Sequence, residues 1–125
     1  MSRHEDSVFL CQMIDHIEEA AALAQVRTRE DLESDRLFFL ALLKLVEIVG
    51  EAATRVSRET QVAYSEIPWR EIIGTRNRLI HGYDAVDCDI LWEIVVTDFP
   101  PLCEQLKAAV DATSEARPQD KGVPH

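Results

Sequence analysis

Glycine is scarce in this chain, four among 125 residues, and the longest stretch free of Gly and Pro, ahead of Gly50, runs for dozens of residues. That excludes a fold of short strands joined by tight turns and favours long helices. Cysteine is nearly as sparse. Cys11, Cys88 and Cys103 are odd in number and far apart, with no Cys-x-x-Cys pair, so neither a zinc site nor a dithiol redox centre is expected and the thiols are read as reduced. No uncharged apolar run approaches the roughly 18 residues of a membrane helix, and no basic, apolar leader opens the chain; a cytoplasmic protein without membrane attachment is expected. Positive charge is in deficit, 13 Lys and Arg against 23 Asp and Glu, for a net charge of −10. Because phosphate backbones are held by cations, this argues against a general nucleic-acid binder. It leaves room for a local cationic site and suits a partner with a basic surface. An internal repeat, a Gly-rich phosphate loop and a metal-ligand cluster are also missing, and His4, His16 and His125 are scattered. No metal and no cofactor are expected.

What is present is a chain 46% hydrophobic, enough for one core and too short for two. The expected class is all-α, an up-and-down bundle of four to five helices. The first helix is predicted from Asp6 or Ser7, either of which could cap it, to about Val26, with Leu10, Ile14, Ile17 and Ala21 on one face. A polar connection, Arg27-Thr28-Arg29-Glu30, follows. The second helix begins after Asp31 or Ser34 and runs to about Val56. It is apolar almost all round, from Leu37 and Phe38 to Ile48 and Val49, which predicts burial on most sides. Its polar stripe, Lys44, Glu47, Glu51 and Arg55, has the spacing of side chains stacked along one face. Either this is a solvent strip of ion pairs, or Glu47 and Glu51 border a site or a dimer seam. Gly50, unfavourable inside a helix by about 1 kcal/mol relative to Ala, suggests a close helix contact.

Ser65-Glu66-Ile67-Pro68-Trp69 reads as a third helix start with proline in the first turn. Trp69, Ile72, Ile73, Arg76 and Ile80 then fall on one face, pointing Arg76 toward other protein, and Gly82 terminates the helix with His81 in its last turn. A buried unpaired charge is costly, so Arg76 must reach a crevice, an acid such as Glu47 or Glu51, or a partner subunit. Asp87 to Asp89 cap a fourth helix carrying Ile90, Leu91, Ile94, Val95 and Phe99. Pro100-Pro101 must break or kink it, and Leu102 to about Ala112 resumes with Leu102, Leu106 and Val110. From Thr113 onward almost nothing is apolar, so the domain is placed at residues 1–112 and a disordered tail at 113–125.

The segment that says most is Arg76-Asn77-Arg78-Leu79-Ile80-His81-Gly82-Tyr83. Arg70, Arg76 and Arg78 face a single acid there, Glu71, so positive charge gathers where the chain is otherwise acidic. An arginine grips phosphate oxygens in a fork, and a histidine gives and takes protons near neutral pH. The spacing Arg, four residues, His, one residue, Tyr resembles the signature of the HEPN superfamily, and the form ending in Tyr looks like its HepT branch, the ribonuclease toxins of bacterial and archaeal HEPN/MNT toxin–antitoxin pairs. Leu45 to Ala53 is similar to that family's Gly-Glu-Ala helix segment, Ile67-Pro68-Trp69-Arg70 to its Pro-Trp helix start, and Gly74-Thr75-Arg76-Asn77 to the entry of the motif. The resemblance spans roughly Val8 to Val110. It implies a helical bundle that forms a homodimer, cleaves RNA, and is silenced by a minimal nucleotidyltransferase partner that attaches AMP to the motif tyrosine, here Tyr83.

On an ideal helix, residues five apart are rotated by roughly 140°, so Arg76 and His81 of one chain would not sit side by side. Either the last turn is distorted near Gly82, or two copies meet across a twofold axis and bring both pairs into one cleft. The expected chemistry is RNA transesterification without a metal, with His81 as proton carrier and Arg76 stabilising phosphoryl charge. Asn77 is assigned to orienting phosphate or imidazole, and Arg78 to flanking backbone. Tyr83 is either the AMP acceptor or an aromatic packed at the turn. A second class stays open: a non-catalytic helical adaptor or antitoxin that binds the nucleotidyltransferase.

Overall fold

The computed structural model describes residues 3–81 and 85–115, with the side chains of residues 3, 4, 81, 114 and 115 outside the description. Eight α-helices and one two-stranded ribbon are found among them. Helix α1 (Arg3–Gln25) and helix α3 (Arg36–Arg55) form the longest pairing, and α8 (Phe99–Glu115) packs along α1. The short α2 (Asp31–Ser34) lies in the turn between α1 and α3.

Helix α1 buries Leu10, Met13, Ile17, Ala20 and Ala24. Their offsets of three and four describe one stripe, turned slightly from the predicted one: Ile14 is half-buried and Ala21 exposed. Helix α3 opposes it with Phe38, Leu42, Leu45, Val46, Val49, Ala52 and Ala53. Deleting the Leu42 side chain to Ala would cost about 2–5 kcal/mol, as for other fully buried leucines. The expectation that α3 is buried on most sides is corrected: Leu37 is 79% and Leu40 42% exposed. One stripe meets the core, and the apolar excess faces outward at the start of the helix.

The cap of α3 is Asp35, whose carboxylate accepts from the Phe38 N–H at 3.2 Å and from Arg27 at 2.6 Å. Those two contacts, the Phe38 N–H first, hold its carboxyl below the ordinary aspartate value. Asp6 has a different part from the predicted one. It lies inside α1 and reaches over to the start of α4 (Arg58–Ala63), a helix that the sequence pattern did not reveal. There it accepts from the Ser57 N–H at 2.9 Å, from the Ser57 hydroxyl at 2.6 Å and from the Thr60 hydroxyl at 2.6 Å. Burial pushes this carboxyl up, and the hydrogen bonds from Ser57 and Thr60 outweigh it, leaving a lowered pKa.

The predicted third helix is two short ones, α5 (Trp69–Ile73) and α6 (Thr75–Leu79), hinged at Gly74. Pro68 stands at the cap of α5, and the Trp69 indole N–H donates to the Tyr64 carbonyl at 3.1 Å. After Leu79 the helix stops. Ile80 takes φ −93° and ψ 123°, and Ile80–His81 (β1) pairs antiparallel with Ala85–Val86 (β2) in the register Ile80 with Val86 and His81 with Ala85. The placement of His81 in a last helical turn is therefore overturned, and with it the dipole argument for its imidazolium. Gly82 and Tyr83 lie outside the described residues.

Asp87 caps α7 (Cys88–Glu93), accepting from the Ile90 N–H. The chain then widens into a π-turn at Ile94–Asp98 and continues as α8 without interruption. Pro100 and Pro101 were expected to break or kink this helix. Proline lacks an N–H and its ring collides with the carbonyl four residues back; the wide turn just before the pair, with the Phe99 N–H reaching the Ile94 carbonyl, accommodates both defects. Helix α8 also passes the boundary set at residue 112, since Thr113 is buried and its hydroxyl donates to the Ala109 carbonyl. Residues 116–125 of the expected tail lie outside the described residues.

The Asp6 clamp gives a stability prediction. Asp6→Ala strands three donors and should lower unfolding stability by roughly 2–4 kcal/mol, measured by urea titration. With a folded pKa below the unfolded one, the carboxylate contributes fully above about pH 4 and its contribution fades as pH falls through the folded value. The acid limb of wild-type stability should therefore flatten in Asp6→Ala.

Candidate functional site

Helix α6 is the element that carries the motif, and its burial pattern decides which residues are available. Thr75 and Leu79, four apart, are buried, whereas Arg76 and Asn77 are exposed and Arg78 is half-buried. The expected inward direction of Arg76 is thus corrected: the buried face of α5 and α6 is Trp69, Ile72, Thr75 and Leu79, and Ile73 is 39% exposed. Arg76 reaches a crevice, one of the alternatives weighed for it.

That crevice has a volume of about 350 Å³ and lies between α3 and the α5–α6 pair. Lys44, Glu47 and Glu51 line it from α3, and Ile73 and Arg76 from the other side. The structure therefore brings Arg76 together with both acids singled out from the sequence. Among the described residues no ion pair joins Arg76 to Glu47 or Glu51; Glu51 stands 3.9 Å from Arg55 on its own helix. The depth of the crevice depends on Gly50, where an added Cβ would come within 3.2 Å of the Ile72 carbonyl oxygen. The close contact suggested by a glycine in mid-helix is this one.

Arg78, two residues on, points to the opposite side of the same helix. It lines a second cleft of about 430 Å³ between α6 and the π-turn, and its guanidinium lies 3.4 Å from the Asp98 carboxylate. Sequence reasoning missed Asp98. The signal was the Pro-Pro pair just after an apolar helix, which forces an irregular turn at that point. Asn77 lies between the two clefts on the exposed side of α6.

The backbone of His81 sits in β1, two residues beyond the end of α6; its imidazole, and all of Tyr83, lie outside the described residues. The 140° offset expected between Arg76 and His81 does not arise, because the helix that would impose it ends at Leu79. Of the two arrangements weighed, the one found is a change of backbone before His81, and the angular argument for a second copy falls away. No group of three or more His, Cys, Asp or Glu able to hold a metal ion occurs among the described residues. None of their helices is long and apolar enough to cross a membrane.

The mostly helical bundle agrees with the all-α class expected from the sequence. The sequence profile of the HepT-like ribonuclease family matches residues 13–109, and the chain belongs to that family. A protein of Thermococcus cleftensis named "Probable ribonuclease HepT" is 37% identical over 93 residues, covering 71% of this chain and 84% of that relative. A protein of Caldanaerobacter subterraneus subsp. tengcongensis, named as a candidate RNase, is 37% identical over 78 residues, 62% of this chain and 70% of the relative. Another of that description in Methanocaldococcus jannaschii is 25% identical over 107 residues, 86% of this chain and 98% of the relative. No solved structure matches the chain.

The Gly50 contact predicts how the crevice responds to bulk. Gly50→Val must push α5 away from α3, and overpacking of this kind costs about 1–3 kcal/mol. Chemical denaturation should show that loss, with a smaller change for Gly50→Ala, whose gain in helix propensity offsets part of the 3.2 Å contact.

Proposed function

We propose that this protein is a metal-independent endoribonuclease, the toxin of a HEPN/MNT pair, acting at Arg76 and His81. The observation that carries the proposal is the exposure of Arg76 at a crevice, on the helix whose end leads within two residues to His81. Membership in the HepT-like ribonuclease family supports RNA as the substrate.

In the proposed reaction His81 takes the proton of a ribose 2′-hydroxyl and the 2′-oxygen attacks the adjacent phosphorus. The bond from phosphorus to the 5′-oxygen breaks, leaving a cyclic phosphate and, once that oxygen is protonated, a free 5′-hydroxyl. Arg76 stabilises the charge that builds on the phosphoryl oxygens. Asn77 orients the phosphate, Arg78 holds flanking backbone, and Glu47 and Glu51 border the crevice beside Arg76. One imidazole cannot be base and acid at the same instant, so a second copy of the chain supplies the other. A homodimer is also supported by Leu37, Leu40 and Ile73, which expose apolar surface on the elements that flank the crevice. The protein works in the cytoplasm, and the partner nucleotidyltransferase silences it by attaching AMP to Tyr83, whose added negative charge repels RNA phosphates.

His81→Ala and Arg76→Ala should each reduce RNA cleavage by at least about a hundredfold with the helical circular dichroism unchanged. Cleavage retained in folded His81→Ala removes that residue from the mechanism, and activity lost in EDTA and restored only by a divalent ion points to other chemistry. Inducing the protein alone should arrest growth; continued growth favours the adaptor or antitoxin reading.

Incubation with the cognate nucleotidyltransferase, ATP and magnesium should add AMP mass to the peptide holding Tyr83, and Tyr83→Phe should resist it. An adduct elsewhere leaves Tyr83 with a packing role. Sedimentation at micromolar concentration should give a dimer, and an active monomer ends the two-copy scheme.

A further inference from the structure

The second cleft, on the far side of α6 from Arg76, enters the reaction just described only through Arg78 at its rim. Its walls are apolar, built from Val49, Ile72, Phe99, Pro101 and Leu102, while its rim carries Arg78, Asp98, Glu71 and Gln105. Gln105 already donates its amide N–H to the Glu66 carbonyl at 3.1 Å, which leaves the amide oxygen as an acceptor. The rim thus offers two carboxylates and an amide oxygen as acceptors, with Arg78, the second Gln105 amide hydrogen and the Thr97 hydroxyl as the donors beside them. Ile72 and Thr75 line both clefts, so only the thickness of one helix separates them.

From this arrangement we infer that the second cleft is a nucleobase subsite that selects bases carrying an exocyclic amine, with Asp98 as the residue that reads them. The inference rests on the ribonuclease reading and deepens it. A phosphate inside the cleft would meet the carboxylates of Asp98 and Glu71, so the backbone stays at the mouth beside Arg78 while the planar base enters. Single-stranded RNA is commonly recognised in this way, with a splayed base stacked on an apolar or aromatic surface and hydrogen-bonded at its edge. Pro101 provides the exposed apolar surface, with the buried Phe99 behind it. A carboxylate accepts well from an amino group such as that of cytosine, and adenine and guanine carry one too. Uracil has none: its edge donor N3–H is flanked by two carbonyl oxygens, which a carboxylate approaching that donor must meet.

The Arg78–Asp98 pair does not close the mouth. At 3.4 Å, with side chains 38% and 42% exposed, it is a weak contact. Arg78 can turn to a phosphate and release Asp98 toward the base. The volume of about 430 Å³ lies in the range of small-molecule sites and admits a purine as well as a pyrimidine. The π-turn has its structural cause in Pro100 and Pro101; it also sets Thr97 and Asp98 at the cleft facing α6.

The test uses the full chain carrying His81→Ala, which is not expected to cut its ligand, titrated with the hexamers r(A)6, r(C)6 and r(U)6. Anisotropy should show r(A)6 and r(C)6 binding about tenfold more tightly than r(U)6, and Asp98→Asn, which adds a donor, should bring the ratio near one. Amide resonances of Thr97, Asp98, Phe99 and Gln105 should move on adding r(C)6. Resonance shifts confined to residues 44–54 and Arg76, equal affinity for r(U)6, or an unchanged ratio in folded Asp98→Asn overturns the subsite. If shifts at the cleft follow protein dilution rather than RNA, its occupant is a second copy and the inference also fails. Wild-type cleavage of cellular RNA separates the two readings: cutting that persists beside any of those results removes the subsite alone, and absence of both cutting and binding removes the ribonuclease reading with it.

Discussion

The approach of α5 to α3 at Gly50 governs everything that bears on function. Helix α3 is held on one side by the Leu42, Val46 and Val49 stripe packed against α1, and on the other the missing side chain of Gly50 lets the α5 backbone come within contact of it. That contact seats Ile72, and Ile72 with Thr75 and Leu79 seats α6. Once those three are buried, helical geometry leaves Arg76 and Arg78 on opposite exposed flanks. Two clefts on either side of one helix are therefore a consequence of where a single glycine permits close packing. A side chain there would alter both arginines together.

A second constraint lies in how the motif helix ends. Five residues of α6 are too few to be stable alone, and the segment is helical because its apolar face is buried. Beyond Leu79 the backbone turns extended, and the Asp87 N–H donates to the Leu79 carbonyl at 2.8 Å, tying the far side of the ribbon to the end of α6. Arg29 fastens the same region from outside, binding Asp89 at 2.6 Å and also Glu33, and these carboxylates raise the pKa of its guanidinium further. The start of α7 is thereby joined to the turn between α1 and α3. Motif and bundle are connected through backbone pairing and ion pairs as well as through the core.

Several features were legible in the chain without its structure. Long intervals without glycine or proline, together with three- and four-residue apolar offsets, set an all-helical class; the cap at Asp87 and the special standing of Gly50 were readable because each depends on local backbone chemistry, whereas the cap of α3, expected at Asp31 or Ser34, is Asp35. The motif from Arg76 to Tyr83, with the Gly-Glu-Ala and Pro-Trp segments, carried the family. The errors of helix orientation have one origin. Periodicity places side chains around a helix and does not say which side meets the core when apolar residues surround it, so the exposure of Leu37 and Leu40 and the outward turn of Arg76 were misread.

Sequence by itself thus determined helix content, the cap at Asp87, the clustering of positive charge in an acidic chain and the family to which the chain belongs, because these follow from residue chemistry at fixed short spacing. Tertiary structure alone decided that α6 stops at Leu79, that Asp6 holds Ser57, the cap of a helix, 51 residues away, and that Asp98 meets Arg78 across a cleft. It also decided that two prolines are absorbed in a π-turn rather than breaking the helix. Each of these weighs local preference against contacts between distant segments, and only the packed chain, where burial and hydrogen bonding are settled together, fixes the balance.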